Sequence, residues 1–598
     1  MLDELRKLRD LLDRRDIFQF GLVFAAILVT ALLEVVGIAA ILPFMRLAAQ
    51  PEGLHSNDWL SRIYTAAEFS SERTMLIWMG VVVIVLFSLS RLFAAFTVWL
   101  TNRSVWSMAH RLSVRLLKRY LQLPYEFFLT HNTAELLKKL VADVNNLVTG
   151  VLLAGSTFIA QLVVAIAIFA LLLVIRPGLA LAAFGLFGGA YVLLHLVRHT
   201  LLTRLGRERI AADNVRFRTF SEALTGIKAI RTEGAGNYFL DRFEAASKRF
   251  TEVQPKIQLV SLIPRYIIEI LAFGGILAIV LYLLVTGGEI VSAIPMLSLF
   301  ALAAYRMLPA LHEAFLAGAQ VSQNLPAIDE VYGDMEGEVV LESILDTSSD
   351  RLDLRRAISL ESVSYQYGSG QVPVVTDIDL EIPRHGKVAF VGSTGAGKST
   401  LVDIIVGLLV PQEGELSVDG VAITPDNVAS WLRLVAYVPQ EVFLYDATVT
   451  ANIAFGVEPE AIDPDRVREA ARIAQLDSFI AEEMPNGYQT LIGERGVRLS
   501  GGQRQRLGLA RAIYRQPEVL ILDEATSALD GITEEALLSS LHGHFPELTL
   551  IMIAHRLSTV KLCETIYLID HGRIVDSGSF EALLAANSTF QRMAQRTS

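Results

Sequence analysis

Leu499-Ser-Gly-Gly-Gln-Arg-Gln-Arg-Leu-Gly-Leu-Ala-Arg-Ala-Ile513 opens on paired glycines and continues as a basic, helix-forming stretch. Two adjacent glycines leave backbone N–H groups open, and the helix that follows turns its positive N-terminus toward them. Such a turn is a place for an anion. The question is which anion, and which part of the protein brings it.

About a hundred residues upstream, Val388-Ala-Phe-Val391 reads as a short buried strand. It runs straight into Gly392-Ser393-Thr394-Gly395-Ala396-Gly397-Lys398-Ser399-Thr400, and then into the helical pattern LVDIIVGLL. This is a phosphate-binding loop in the strand–loop–helix context that it requires. The glycines let backbone N–H groups wrap phosphates, Lys398 reaches the β- and γ-phosphates, and the Ser399 hydroxyl can ligate Mg²⁺. Val519-Leu-Ile-Leu522 is a second buried strand and ends in Asp523-Glu524. A solvated surface pair of acids would not follow four apolar residues. Asp523 is the metal-side candidate, and Glu524 is the candidate general base for an attacking water.

The order of these motifs, with Ser527-Ala-Leu-Asp530 and then a lone His555 behind the strand LIMIA, resembles the ATPase domain of ABC transporters over about 340–598. The resemblance implies further roles. Tyr367 would stack on adenine. Gln440 in YVPQ would sense Mg²⁺ and contact the membrane domain. Glu494 resembles the cross-linking loop of exporters, Asp530 the D-loop, and His555 the switch that touches the γ-phosphate. The loop Ser500, Gly501, Gly502, Gln503 of one subunit would face the nucleotide on the partner's P-loop. The anion of the opening stretch is then the γ-phosphate of ATP. One copy cannot complete a site, so a homodimer with two ATP sites is the simplest assembly. Every position matches the family pattern, which implies a hydrolysis-competent enzyme using ATP and Mg²⁺.

The rest of the chain is apolar. The sequence has 598 residues and is 52% hydrophobic. Its mean hydropathy is +0.44. A net charge of −11 argues against nucleic acid as the main partner. A single cysteine, Cys563, excludes an intrachain disulfide and a cysteine metal cluster. The charged start, residues 1–16, lacks the apolar core and cleavage site of a signal peptide.

A membrane helix needs about 20 apolar residues. Six stretches qualify: roughly 17–46, 74–101, 147–175, 178–198, 257–285 and 290–318. The turns at Arg176-Pro177-Gly178 and Thr286-Gly287-Gly288-Glu289 are tight. Lys and Arg number five in 1–16, seven in 102–146 and twelve in 198–256, against three in the opposite loops. That bias places the N-terminus, both long connections and the C-terminal domain in the cytoplasm. The long connections carry amphipathic patterns, at Ser107 to Leu123 and Glu135 to Val148, and read as extensions of the membrane helices. The expected organisation is a six-helix all-α transmembrane domain (1–320), a linker (321–356) and an α/β P-loop ATPase domain with a helical subdomain (357–598). A membrane domain fused ahead of its ATPase resembles half-transporters of the exporter type. Tyr125 to Glu135 and Leu224 to Arg231 resemble the two coupling regions of such exporters.

The motor does not name the cargo. Charges inside the membrane half are costly and therefore informative. Arg91 and Arg306 each lie about 25 Å below the outer start of their helices at about 1.5 Å per residue, and Arg265 lies near the inner start of its own. Arginines near a boundary can snorkel to the interface, and Glu269 can neutralise Arg265 from the same helix face. Three at one depth on three helices favour a shared site for phosphate or pyrophosphate, which arginine binds bidentately. By the same count Glu34 lies higher, in the outer half, without a visible partner.

Glu34 to Phe44, Pro264 to Glu269, Tyr305 to Pro309 and a helical Trp59 to Tyr64 resemble bacterial lipid-linked oligosaccharide flippases. That resemblance implies a polyprenyl-pyrophosphate-linked glycan, an anionic lipid, turned from the inner to the outer leaflet of the bacterial cytoplasmic (inner) membrane. A broad exporter of drugs, lipids or peptides on the same scaffold is the alternative. A non-transporting ATP-driven regulator or channel is a third reading.

Overall fold

The computed structural model describes the chain except for residues 1, 50–61, 63, 67–68, 70, 132–135, 138, 286–289, 337–351, 369–371, 528, 555–556 and 597–598. Side chains over much of 182–203 and 261–296, Arg265 among them, also lie outside the description. So do the external helix expected at Trp59, the Thr286–Glu289 turn and His555. The chain divides into two compact units, Met1–Leu117 with Leu137–Glu336, and Lys118–Leu136 with Gly337–Ser598.

The first unit is helical. Long helices cover all six apolar stretches: Arg14–Ala39 continuing in Ile41–Ala49, Glu72–Leu121, Ala154–Ile175, Pro177–Thr225, Gly236–Val285 and Ile290–Asn324. Several run far beyond the apolar core. Glu72–Leu121 has 50 residues, about 75 Å at 1.5 Å per residue and more than twice the hydrocarbon thickness. Among the described residues, three helical stretches are long and apolar enough to cross a membrane: Arg14–Ala48, Glu72–Leu121 and Lys139–Ile175. The apolar window of Glu72–Leu121 buries only 11% of its residues inside the protein. Its exposed Ile77, Ile84 and Leu92 therefore need lipid or another chain to cover them. Pro177 starts its helix at the first position, where its missing N–H costs nothing, and makes the tight turn after Arg176. The stretch before Ala154 departs from a plain amphipathic helix. Lys139–Asp143 and Leu147–Leu153 are wide-turned π segments, each accommodating an extra residue.

The second unit holds two sheets. A mixed sheet has the order β10-β9-β3-β8-β7-β6, built from β3 (Lys387–Gly392), β6 (Val435–Val438), β7 (Val519–Asp523), β8 (Thr549–Ile553), β9 (Thr565–Asp570) and β10 (Arg573–Gly578). Only the β9–β10 pair is antiparallel in it. All five residues of β7 are buried, which is why it reads as a continuous apolar run rather than an alternating one. An antiparallel sheet, order β2-β1-β4-β5, joins β1 (Ala357–Tyr365), β2 (Val375–Pro383), β4 (Glu413–Val418) and β5 (Val421–Ala422). Between β6 and β7 the chain is helical, with Val449–Ile453, Pro464–Ile473, Asp477–Glu482 and Gly501–Tyr514. The parallel strands end together, so β3 and β7 deliver their loops to one edge. Ligands bind at that carboxyl edge in open α/β sheets.

Candidate functional site: the phosphate loop and its carboxylates

β3 hands directly to the phosphate loop, and the helix Lys398–Val406 follows. Two glycines make the turn possible. A Cβ on Gly392 would stand 2.1 Å from the Ile569 carbonyl oxygen, and Gly397 has φ +98° with the Val374 carbonyl 2.6 Å from a would-be Cβ. Ser393, Thr394, Gly395 and Ser399 are exposed, whereas Ala396, Gly397 and Thr400 are buried beneath them. Lys398 is buried and folds back: its Nζ donates to the Gly392 carbonyl at 2.9 Å and the Ser393 carbonyl at 2.8 Å. The ammonium thus rests inside its own loop. Burial lowers its pKa, while the charges of Glu524 and Asp523 act in the opposite sense.

β7 places Asp523 at its last residue, with Glu524 just beyond at φ +49°, a backbone conformation that disfavours side chains. The Gln440 amide donates to Glu524 Oε2 at 2.8 Å. The expected sensor and the expected base are therefore in direct contact. Gln505 donates to the Glu524 carbonyl at 3.4 Å and to Ser527 Oγ at 3.2 Å, pinning the turn that follows β7. Asp530 caps the helix Gly531–His544, accepting from Thr533 N at 2.9 Å and Thr533 Oγ1 at 2.8 Å. These bonds hold its pKa below the ordinary carboxylate range.

The glycine stretch forms as its residues require. Ser500 caps the helix Gly501–Tyr514 and shares a reciprocal capping box with Gln503, through Gln503 N to Ser500 Oγ at 3.2 Å and Ser500 N to Gln503 Oε1 at 2.7 Å. Gly501 and Gly502 occupy the first turn, where backbone N–H groups lack helical partners. Glu494 is exposed in the short turn Glu494–Gly496.

Several neighbours have no local sequence signature. Tyr437 of β6 donates its hydroxyl to Asp523 Oδ2 at 3.0 Å. The sheet order alone, β6 beside β7, explains that contact. We expect Tyr437→Phe to raise the Mg²⁺ concentration for half-maximal hydrolysis by about tenfold, because an outer-sphere bond orients a metal-side carboxylate. An unchanged Mg²⁺ titration contradicts this.

Asp403, on the helix after the P-loop, has its carboxyl pushed up to about 6, by burial first and then by the charge of Asp523. The raised folded value means that ionising Asp403 weakens the fold. Its contribution is most favourable below about pH 4 and is lost as pH rises through 6. Asp403→Asn should therefore raise the unfolding temperature of the nucleotide-free protein at pH 7.5. That gain should shrink as pH falls toward 4. A gain independent of pH contradicts the assignment.

Tyr367 bonds Thr400 Oγ1 through its hydroxyl at 3.0 Å and packs edge-on against Tyr365, 5.1 Å between ring centroids. The segment expected to be the first coupling region, described over Tyr125–Thr130 as a short helix, belongs to this same unit. Burial and then the Glu126 carboxylate raise the pKa of the Tyr365 hydroxyl. Burial and then the Asp403 carboxylate raise that of Tyr125. The segment expected to be the second coupling region is a break at Gly226 followed by the helix Ile227–Glu233, in the first unit.

Among the described residues no group of three His, Cys, Asp or Glu could cage a metal. Mg²⁺ keeps waters and takes phosphate oxygens with one or two protein ligands. Ser399 and Asp523 fit that need. The bond to Glu524 uses the Gln440 amide nitrogen and leaves its carbonyl oxygen, the atom that could ligate Mg²⁺, outside that contact.

In the membrane half, the depth expected for Glu34 needs correction. Glu34 has partners: Arg91 Nη2 donates to its Oε1, and Arg306 Nη2 donates to the same oxygen at 2.7 Å. Glu34 therefore stands at the level of the arginines rather than above them. A count from span ends misplaced it because the first helical stretch continues to Ala49 and because arginine stems are long. The three side chains line one cavity of about 290 Å³. Arg265 is on the helix Gly236–Val285, with its side chain outside the description.

A phosphate loop, a strand-end carboxylate pair and a helical half built for lipid define an ATP-hydrolysing membrane translocase. The family descriptions "ABC transporter" and "ABC transporter transmembrane region" match residues 375–527 and 22–305. The ATP-dependent lipid A-core flippase of Chromohalobacter salexigens is 33% identical over 500 residues, covering 82% of this chain and 83% of that protein. The heterocyst differentiation ATP-binding protein HepA of Nostoc sp. is 31% identical over 500 residues, covering 81% and 78%. A bacterial Atm1-family ABC exporter with ATP bound shares the fold, with a TM-score of 0.75 at 23% identity over 97% of this chain and 99% of that one. The chain belongs to the ABC transporter family, as an exporter-type half-transporter with its membrane domain fused to its ATPase domain. It is an integral membrane protein whose ATPase domain is cytoplasmic.

Proposed function

We propose that this chain is a homodimeric flippase that uses ATP to carry a polyprenyl-pyrophosphate-linked oligosaccharide from the inner to the outer leaflet of the bacterial cytoplasmic membrane. Each subunit contributes six spans, a helical subdomain between β6 and β7, and half of each ATP site. Lys398 and the loop 392–400 hold the phosphates, and Tyr367 stacks on the base. Ser399, Asp523 and Gln440 hold Mg²⁺, which when bound neutralises phosphate charge. Glu524 orients and deprotonates water, and His555 contacts the γ-phosphate. Ser500 to Gln503 and Asp530 close the partner's site. The domain boundaries are 1–320, 321–356 and 357–598.

The observation that carries the cargo reading is the cavity with Arg91 and Arg306 converging on one point. Two guanidinia match a pyrophosphate in charge and fork geometry. The names of several relatives favour a second reading, a lipid A-core glycolipid, which is also an anionic amphiphile. ATPase rates in nanodiscs distinguish the two. Stimulation by a polyprenyl-pyrophosphate glycan but not by lipid A-core or a neutral polyprenol supports the first reading. Stimulation by lipid A-core alone replaces it with the second. Equal stimulation by unrelated neutral amphiphiles indicates a broad exporter.

A further inference from the structure

Among the described residues, the wall of the arginine cavity carries as many acids as bases. The ionisable side chains described along its wall are Arg91, Arg306, Glu34 and Glu313, two of each sign. Glu313 is engaged by the Gln161 amide. Glu34 is the remaining acid. It rises from the helix Arg14–Ala39 and receives one guanidinium from Glu72–Leu121 and another from Ile290–Asn324, both on Oε1. The Glu34 side chain is 8% exposed, whereas Arg91 and Arg306 are 35% and 22% exposed. The carboxylate is thus tucked beneath the guanidinia. Arg91 Nε is buried with no partner, so its fork is not saturated.

One carboxylate oxygen shared by two guanidinia is a weak use of ten N–H donors. A pyrophosphate offers several oxygens and more than one charge, and can bridge both forks bidentately. A neutral amphiphile offers no such exchange. We infer that Glu34 is a built-in competitor for the anion subsite: it holds Arg91 and Arg306 until a multiply charged phosphate head group displaces it. This deepens the proposed function and rests on the reading that the cavity takes the charged head of the cargo. Displacement leaves a buried carboxylate without its cations, a costly state. Weak anions cannot drive it, so Glu34 sets a threshold that selects pyrophosphate over monophosphate. The same event removes two ionic ties from the helix Arg14–Ala39 to its neighbours, while the tie between Asp16 and Arg111 stays. Cargo arrival therefore alters contacts among three helices, the differential contact that a ligand-driven conformational shift requires.

The test is binding of farnesyl pyrophosphate, farnesyl monophosphate and farnesol to the purified full-length protein. The unaltered protein should prefer pyrophosphate to monophosphate strongly and bind farnesol least. Glu34→Gln removes the competing charge. It should tighten both anions by about tenfold and narrow the ratio between them. Arg306→Gln should weaken both anions. Unchanged affinities and an unchanged ratio in Glu34→Gln overturn the inference, as does anion binding indifferent to Arg306→Gln or absent altogether. Glu34→Ala serves if the glutamine variant does not assemble. If neither assembles, a pyrophosphate-to-monophosphate ratio near one in the unaltered protein overturns the idea. If the farnesyl results hold but no lipid-linked glycan is moved in vesicles, the cargo reading fails and the competitor role stands.

Discussion

Glu524→Gln should lower ATP hydrolysis by about two to four orders of magnitude, the range expected when a positioned general base is removed. ATP binding should survive, because the amide keeps the shape and leaves the phosphate loop untouched. The structure adds a reason for the size of the effect. Glu524 sits at the end of a fully buried strand, in a backbone conformation that fixes where its side chain emerges, and Gln440 reaches it directly. No described carboxylate replaces it at that point: Asp523 is turned toward Tyr437. In a dimer that closes around ATP, the variant should accumulate in the closed, ATP-loaded state. Cross-linking between subunits under MgATP would report this. A variant that hydrolyses ATP at a third of the normal rate would remove Glu524 from the chemistry.

The second large effect is at Lys398. Its ammonium donates to two carbonyls of its own loop, and its pKa is lowered by burial. Exchanging those carbonyls for phosphate oxygens replaces neutral acceptors with charged ones, which are roughly twice as strong. Lys398→Ala should therefore cost about two to three orders of magnitude in hydrolysis. Unlike Glu524→Gln, it should also weaken ATP binding itself. The loss should appear in equilibrium titration with a fluorescent ATP analogue without Mg²⁺. Normal binding with lost hydrolysis would mean that Lys398 acts only in the transition state. The two variants thus separate binding from chemistry.

The ATPase half was legible because phosphate chemistry constrains local sequence. A loop that wraps phosphate needs glycines where a Cβ would strike a carbonyl, as at Gly392 and Gly397. A carboxylate held for metal follows a strand buried on both faces, so Val519 to Leu522 announces Asp523 and Glu524. Ser500 and Gln503 announce a capped helix start. Contacts set by sheet order are silent in sequence. Tyr437 meets Asp523 across 86 positions, and Gln505 reaches the turn after β7 through packing of its helix. In the membrane half, hydropathy found where long helices lie, since lipid demands uniform apolar runs. It did not give their lengths, because the cytoplasmic continuations are held by packing. The same limit misplaced Glu34, whose partners stand 57 and 272 positions away on other helices.

We propose that this chain is an ATP-driven flippase of an anionic, lipid-linked glycan. The most direct measurement is transfer of a radiolabelled polyprenyl-pyrophosphate oligosaccharide across the bilayer of proteoliposomes, with the unaltered protein beside Glu524→Gln. We expect labelled glycan to become accessible on the opposite face only with MgATP and only with the unaltered protein. Hydrolysis of ATP by the unaltered protein without movement of the glycan would contradict the account.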